Sequence, residues 1–482
     1  MNKEQSPPPD WAPDEAEDEP VRERGPRSDE RVSLPQWRYA PDAWRWVRRL
    51  DSRSARRVLR VRSAKVLPSG MRARILALGI PADVLETTLR SIRSPNQWAD
   101  KWIETAQRYL GDYRRQASSK NPVEAAQARR LAALSYHVAQ LLEFDDDRTV
   151  RMCRAAAASL FAQAQPFMYP QARKVHVPWR ATELPAYVIA PGPQTRPNGL
   201  VVLLNGARTS KEETFSWAGM FLRAGLTVLA LDSPGTGEAT SVPGRGHEDD
   251  DVMDGVFDVL RQEPMIDSTQ VSVVGVSLGG NQAIRCAAYD RRILCAVAVT
   301  PPYDPARWLH RASPFLLAQL DSLVDDPELD PWEQADLFSL HDVAMDVRCP
   351  VLIFGGARDL VVPPSESELL ATRLGTLGTL AWYPSGGHCL YAELPSWTSE
   401  AATWVTSVAA AKGIEMQASG MADPELIAAM AREHLEESTA LGDDLYGEED
   451  EDGARLIETD DHDPDDLGAS ARLIERRPDD DT

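Results

Sequence analysis

Cysteine is scarce: five residues (Cys153, Cys286, Cys295, Cys349 and Cys389) in 482, with no C-x-x-C and no paired spacing. Such usage excludes a disulfide framework and a thiolate metal site, and it suits a reducing compartment. No stretch approaches the ~18 apolar residues that cross a bilayer. The opening Met1-Asn-Lys-Glu-Gln-Ser-Pro-Pro-Pro-Asp has no apolar signal core. A cytoplasmic protein with no membrane association, no cofactor and no metal is expected. Basic charge is also short, with 52 Lys and Arg against 74 Asp and Glu and a net charge of −22. That balance argues against a nucleic-acid partner. One segment runs the other way, since residues 44–62 carry eight arginines with amphipathic helical spacing. The simpler reading of that stripe is a solvated face, or a dock for the acidic tail of the same chain.

At 43% hydrophobic content the chain can bury a large core, and its pattern divides it. Residues 1–40 are rich in Pro, Glu, Asp and Arg and are expected to be disordered. Residues 41–170 read as a helical domain, with helical spacing throughout 81–169, as in Val84-Leu85-Leu89-Ile92 and Val150-Cys153-Ala157-Leu160-Phe161. From 171 to 413 a hairpin (Lys174–Trp179, Leu184–Pro191) precedes alternating strand and helix patterns, which implies a mostly parallel sheet with helices on both faces. Residues 302–347, too long for a plain crossover, should form a helical insertion. The tail, 414–482, is expected to be largely disordered. From Glu436 it holds 19 Asp or Glu against 4 Arg, −15 of the total charge. It repeats Ala-Arg-Leu-Ile-Glu at 454–458 and 471–475, a pattern that suits either a docking motif for a protein partner or duplicated filler.

The most informative stretch is Gly275-Val276-Ser277-Leu278-Gly279, directly after the apolar run 271–274 and before a helical pattern. A serine at a sharp strand-to-helix turn needs glycine flanks for close approach of the neighbouring chain, so this reads as a nucleophile elbow. A serine hydroxyl needs an imidazole to take its proton, and the imidazole needs a carboxylate on its other nitrogen. Both follow in chain order. Asp359 leaves the carboxyl end of the buried strand 350–356, and His388 lies on the Pro384-Ser-Gly-Gly turn after the strand 379–383. Asp304, after the strand 294–300, is an alternative acid; its other reading is a cap on the helix that begins near Ala306. Charge developing on a substrate oxygen should meet the backbone N–H of Leu278 and a second amide, assigned to Ala207, in the loop after strand 200–204. Lys211 and Glu212 could pair with the helical domain, but helix-capping charge accounts more simply for Glu212 and Glu213.

Gly206-Ala-Arg-Thr-Ser-Lys211-Glu212-Glu213, Asp232-Ser-Pro-Gly-Thr-Gly-Glu238 and the elbow together resemble one α/β-hydrolase group. That group includes fermentation-respiration-switch esterase-like proteins, 2,6-dihydropseudooxynicotine hydrolase and the fungal heptaketide chain-shortening hydrolase. The resemblance covers about residues 80–412 and implies an α/β-hydrolase fold whose N-terminal helices form a lid over the pocket. Tyr109, Tyr136, Phe161 and Tyr169 are then candidate wall positions, with ordinary core as the alternative. The chain departs from the group at Ala207-Arg208, in place of Leu-Asp, and at Ser233, in place of Gly. Arg208 near the pocket mouth would alter which substrates fit. Members of the group cleave either esters or a C–C bond beside a ketone. The expected activity is therefore serine hydrolysis of a small or medium carbonyl compound, with C–C hydrolysis as the competing chemistry. A third reading, of another class, is an inactive scaffold whose tail docks partners. The helical domain also offers a surface for a homodimer.

Overall fold

The computed structural model describes residues 54, 57, 67–68, 70–143, 146–242, 246–308, 328–419, 455–457 and 472–475. The expected N-terminal disorder, nearly all of the arginine-rich stripe and most of the tail lie outside the described residues.

Among the described residues from Met71 onward, five α-helices precede the sheet: α1 (Met71–Ala77), α2 (Ala82–Ser91), α3 (Trp98–Ser118), α4 (Pro122–Leu141) and α5 (Asp147–Met168). Their spaced apolar residues form a core of their own, in which Ile75, Leu85, Trp98, Trp102, Leu134, Val138 and Cys153 are buried. The sheet then opens with β1 (Ala172–Trp179) and β2 (Thr182–Ile189), the expected hairpin, paired antiparallel from Ala172↔Ile189 to Trp179↔Thr182. It continues through β3 (Asn198–Leu204), β4 (Thr227–Leu231), β5 (Ile266–Val276), β6 (Ile293–Val299), β7 (Val351–Gly356) and β8 (Gly378–Tyr383). Strand order is β1-β2-β4-β3-β5-β6-β7-β8, and every pair from β4 to β8 is parallel.

The unbroken burial of β4, β6 and β7, and of β3 after Asn198, follows from cover on both faces. Helices α6 (Lys211–Thr214) and α7 (Ala218–Arg223) follow β3; α8 (Val252–Leu260) precedes β5, and α9 (Leu278–Tyr289) follows it. One face buries Val256, Phe257, Ala283, Ile284 and Leu370; the other buries Phe221, Trp397, Trp404 and Val405. The segment between β6 and β7 carries one described α-helix, α10 (Pro331–Asp336), capped at Asp330 with Glu333 closing the capping box. After β7 come α11 (Ser365–Leu374) and, past β8, α12 (Leu394–Ser419), which runs beyond the expected boundary at 413.

Helix α5 carries the helical region onto the sheet. Phe161 lies 5.6 Å from Tyr187 and 5.2 Å from Phe215, and Tyr169 lies 4.8 Å from Phe215, ring centre to ring centre. Two of the four candidate wall aromatics are thus core packing between helix and sheet.

The tail also contributes. The described residues of both copies of the repeated pentapeptide are extended, as β9 (Arg455–Ile457) and β10 (Arg472–Glu475). The second copy pairs parallel with β8, from Arg472↔Thr379 to Glu475↔Trp382, and the first pairs antiparallel with the second. The sheet therefore has ten strands, ending in β8-β10-β9. Among the described residues no helix is long and apolar enough to cross a membrane.

Candidate active site

Strand β5 ends at Val276, and Ser277 takes φ 53°, ψ −122° before α9 begins at Leu278. A non-glycine residue in that region is strained, and the surroundings must hold it there. A Cβ on Gly275 would lie 1.9 Å from the Gly279 carbonyl oxygen, and one on Gly279 would lie 2.3 Å from that of Leu204. Glycine is thus required at both flanks so that β3, β5 and the start of α9 can meet.

His388 Nε2 lies 3.0 Å from Ser277 Oγ, and its Nδ1 lies 2.8 Å from Asp359 Oδ2. The other Asp359 oxygen accepts the amides of Val361 (2.8 Å) and Val362 (3.0 Å), which fixes the carboxylate after β7. The three residues come from the ends of β5, β7 and β8, the carboxyl edge where open α/β sheets bind ligands. Burial disfavours an imidazolium at His388 more than any other single influence. The Asp359 charge and hydrogen bond, together with Cys389, outweigh it and hold the imidazole well above its usual pKa.

The loop after β3 passes directly beside the serine, since a Cβ on Gly206 would lie 3.5 Å from Ser277 Cβ. Ala207 and Leu278 line one cleft of about 430 Å³, counting its open mouth, together with Asn205, Ser233, Gln282 and Phe338. As first residue of α9, Leu278 has an N–H with no acceptor inside the helix. Asp304 stands elsewhere: it occupies the cap position of the turn Pro305–Arg307 without a side-chain cap bond, and its amide donates to Glu366 Oε2 at 2.7 Å.

Two charged clusters set these loops. Lys211, fully buried, places its ammonium 2.9 Å from Asp232, 2.7 Å from Glu212 and 2.5 Å from Glu238. Asp232 also accepts the backbone amides of Lys211 (2.6 Å) and Glu238 (2.9 Å) and the Asn205 amide group (3.1 Å). The lysine therefore joins the two motifs inside the hydrolase body instead of reaching the helices. Glu213 reaches them, through Arg74 and His137. Arg208, expected near the pocket mouth, donates its guanidinium to the carbonyls of Gln140 (3.1 Å) and Glu143 (2.8 Å) at the end of α4. Sequence reasoning also missed Thr300, at φ 44°, whose hydroxyl accepts the Cys389 amide at 3.0 Å and lies 3.5 Å from His388 Nδ1. Its place directly after β6, at the active edge, was the available signal.

Comparison with known proteins agrees with this architecture. The profile of the alpha/beta hydrolase family matches residues 201–402. Hydrolase phmG of Phaeosphaeria nodorum is 31% identical over 339 residues, 58% of this chain and 75% of that protein. The chain belongs to the α/β-hydrolase family. This α/β hydrolase is also 26% identical over 305 residues to 2,6-dihydropseudooxynicotine hydrolase of Paenarthrobacter nicotinovorans, covering 61% of the chain and 80% of the relative. The crystal structure of the 2,6-dihydroxy-pseudo-oxynicotine hydrolase superposes with a TM-score of 0.61 at 24% identity. The match spans 69% of this α/β hydrolase and 94% of that chain, and establishes a common fold.

Proposed function

We propose that the protein is a serine hydrolase in which Ser277, His388 and Asp359 form the triad and the amides of Ala207 and Leu278 form the oxyanion hole. The observation that carries this reading is the continuous hydrogen-bond path from Ser277 Oγ through His388 to Asp359, at 3.0 and 2.8 Å. His388 Nε2 takes the hydroxyl proton as Oγ bonds to the substrate carbonyl carbon, and the carbonyl electron pair moves onto oxygen as an oxyanion. Collapse of that intermediate expels the leaving group, which receives the proton from His388, and an acyl group stays on Ser277. Water then repeats the sequence, giving its proton to His388 and releasing the acid with Ser277 restored. Asp359 keeps the proton-bearing nitrogen on its own side and stabilises the imidazolium, which fits its two fixing amides.

The substrate is a small or medium carbonyl compound, ester-like in the first reading. Similarity to 2,6-dihydropseudooxynicotine hydrolase over most of that relative's length favours a second reading, in which Ser277 attacks a ketone, the C–C bond beside it breaks, and the departing carbanion takes the proton held on His388. An ester and a β-diketone offered in parallel, with product analysis, separate the two. For the site itself, Ser277→Ala should remove turnover and labelling by a fluorophosphonate while unfolding stays unchanged. Triad losses run to roughly 10⁴–10⁶ in rate, so a variant retaining more than about a thousandth of the activity would rule the assignment out. A wild-type protein inert to both probe and ester would favour the scaffold reading.

A further inference from the structure

Glu213 is buried, and four donors fill its two oxygens. Oε1 accepts from Arg74 Nε and from the Tyr391 hydroxyl, both at 2.9 Å, while Oε2 lies 2.7 Å from an Arg74 terminal nitrogen and 2.7 Å from His137 Nε2. That same Arg74 nitrogen donates to the Arg208 carbonyl at 2.9 Å, and the guanidinium carbon lies 5.6 Å from the centre of the Tyr391 ring. The partners come from four separate places: Arg74 from α1, His137 from α4, Arg208 from the loop that follows β3, and Tyr391 from the segment that carries His388. Arg208 is bonded to Ala207, and Tyr391 is three residues from His388.

We propose that the Arg74–Glu213 pair is a positioning device that registers the Ala207 loop against the His388 loop and makes that register depend on the seating of the N-terminal helices. This rests on the triad and oxyanion-hole reading above. The fork of one guanidinium links the two loops. Its Nε and terminal nitrogen clasp the carboxylate that holds Tyr391, while the same terminal nitrogen holds the Arg208 carbonyl. The fork geometry is fixed, so both distances are set together. A second arginine works in the opposite direction, for Arg208 reaches from the loop to the Gln140 carbonyl in the last turn of α4, where the helix dipole favours a cation, and to the Glu143 carbonyl just beyond the helix. The helices therefore hold the loop by its carbonyl, and the loop holds the helices by its guanidinium. The chain before α1 also passes near the histidine: a Cβ on Gly70, at φ 76°, would lie 3.9 Å from the His388 carbonyl oxygen.

A merely structural ion pair would set folding stability and nothing else. A registering one must set the chemical step, because displacing a reacting group by about 1 Å can cost on the order of 10² in rate. Two full-length variants test this against an activated ester and a fluorophosphonate. Tyr391→Phe removes one hydroxyl, leaves Arg74 Nε on Glu213 Oε1, and so strands no buried charge. It should fold with a thermal midpoint lowered by only a few degrees, while kcat falls about tenfold at constant KM. Arg74→Lys keeps the charge but cannot fork, and should lose about a hundredfold in kcat and in the labelling rate of Ser277. Wild-type kcat in folded Tyr391→Phe overturns the proposal, whatever Arg74→Lys does; so does a change confined to KM. If the wild-type protein neither turns over the ester nor takes the label, it is the triad reading that fails.

Discussion

Asp359→Asn tests the role of the carboxylate most sharply, because the hydrogen-bond pattern dictates what the new amide must do. One Asp359 oxygen accepts the amides of Val361 and Val362, so the Asn carbonyl oxygen is retained there. The Asn NH₂ then faces His388 Nδ1, where the carboxylate stood at 2.8 Å. Two N–H groups cannot point at each other, so the imidazole must turn its Nδ1 lone pair to the amide and move its proton to Nε2. That nitrogen lies 3.0 Å from Ser277 Oγ and must be an unprotonated acceptor for catalysis. The variant thus holds the wrong tautomer, for which a loss of about 10⁴ in kcat is expected.

The pH dependence gives a second measurement. His388 is held above the ordinary imidazole range chiefly by Asp359 against the opposing effect of burial. The neutral base is needed, so wild-type activity should rise with pH through that elevated value. In the variant the acid limb of the residual activity should move to lower pH. The same coupling sets stability. A raised folded pKa for histidine stabilises the fold below the unfolded pKa and is lost as pH rises through the folded value. The stability deficit of the variant is therefore largest on the acid side. Steady-state kinetics on an activated ester from about pH 5 to pH 10, with thermal unfolding alongside, reads both. A variant within tenfold of wild type, or an equal loss in Asp304→Asn, would refute the assignment and move the acid to the loop after β6.

Glu366 is buried and accepts the amides of Tyr303 (2.9 Å) and Asp304 (2.7 Å), while burial pushes its carboxyl up from 4.5 to about 7. The folded state then holds a proton that the unfolded state has lost, so stability should fall as pH rises from about 4.5 to about 7. Glu366→Gln keeps an acceptor for both amides. It should match wild type near pH 4 and exceed it by up to about 3 kcal/mol above pH 7 in denaturant melts; equal curves at both pH values would count against it. Gly275→Ala forces a Cβ to 1.9 Å from the Gly279 carbonyl oxygen, and should cost several kcal/mol or abolish soluble expression; a folded, active protein would contradict the elbow packing. Truncation after Ser419 uncovers the β8 edge that β10 pairs with. Amide exchange over Gly378–Tyr383 should accelerate with turnover of a small ester unchanged, and unaltered exchange would disprove the pairing.

Legibility in the sequence followed the range of the interaction. The elbow was readable because its requirements are local: an apolar strand, two glycines and a helical pattern within a few residues of Ser277. Asp359 and His388 were readable because each leaves the carboxyl end of a buried strand in a fixed order. The partners of Arg208 and Glu213 were not legible because they lie far away. Arg74 is 139 residues from Glu213, and Tyr391 is 178. No periodicity links such positions, so both side chains were assigned by their immediate neighbourhood, as a pocket-mouth cation and a helix-capping acid. The strands at 455–457 and 472–475 escaped notice for another reason. Their segment is too acidic to bury a core, and what orders them is the unpaired backbone of β8, a template that composition cannot report.

The two buried charge clusters are hard to explain as sources of stability. Removing Lys211, Asp232, Arg74 and Glu213 from water costs several kcal/mol per ion, and well-packed apolar residues of similar volume often serve stability as well or better. What apolar packing lacks is direction. A Leu in place of Glu213 could fill the same space, yet it would allow the Tyr391 segment to slide against α1 with little penalty, because dispersion contacts are shallow and unoriented. Four hydrogen bonds to one carboxylate permit one arrangement. The same holds at Asp232, where two backbone amides, an Asn and an ammonium lock the loop after β4 to the loop after β3. Both clusters lie beneath loops that border Ser277, and the hydrolysis proposed there needs donors and base held to within a few tenths of an ångström. The cost of desolvation is thus spent where orientation, more than cohesion, decides the rate.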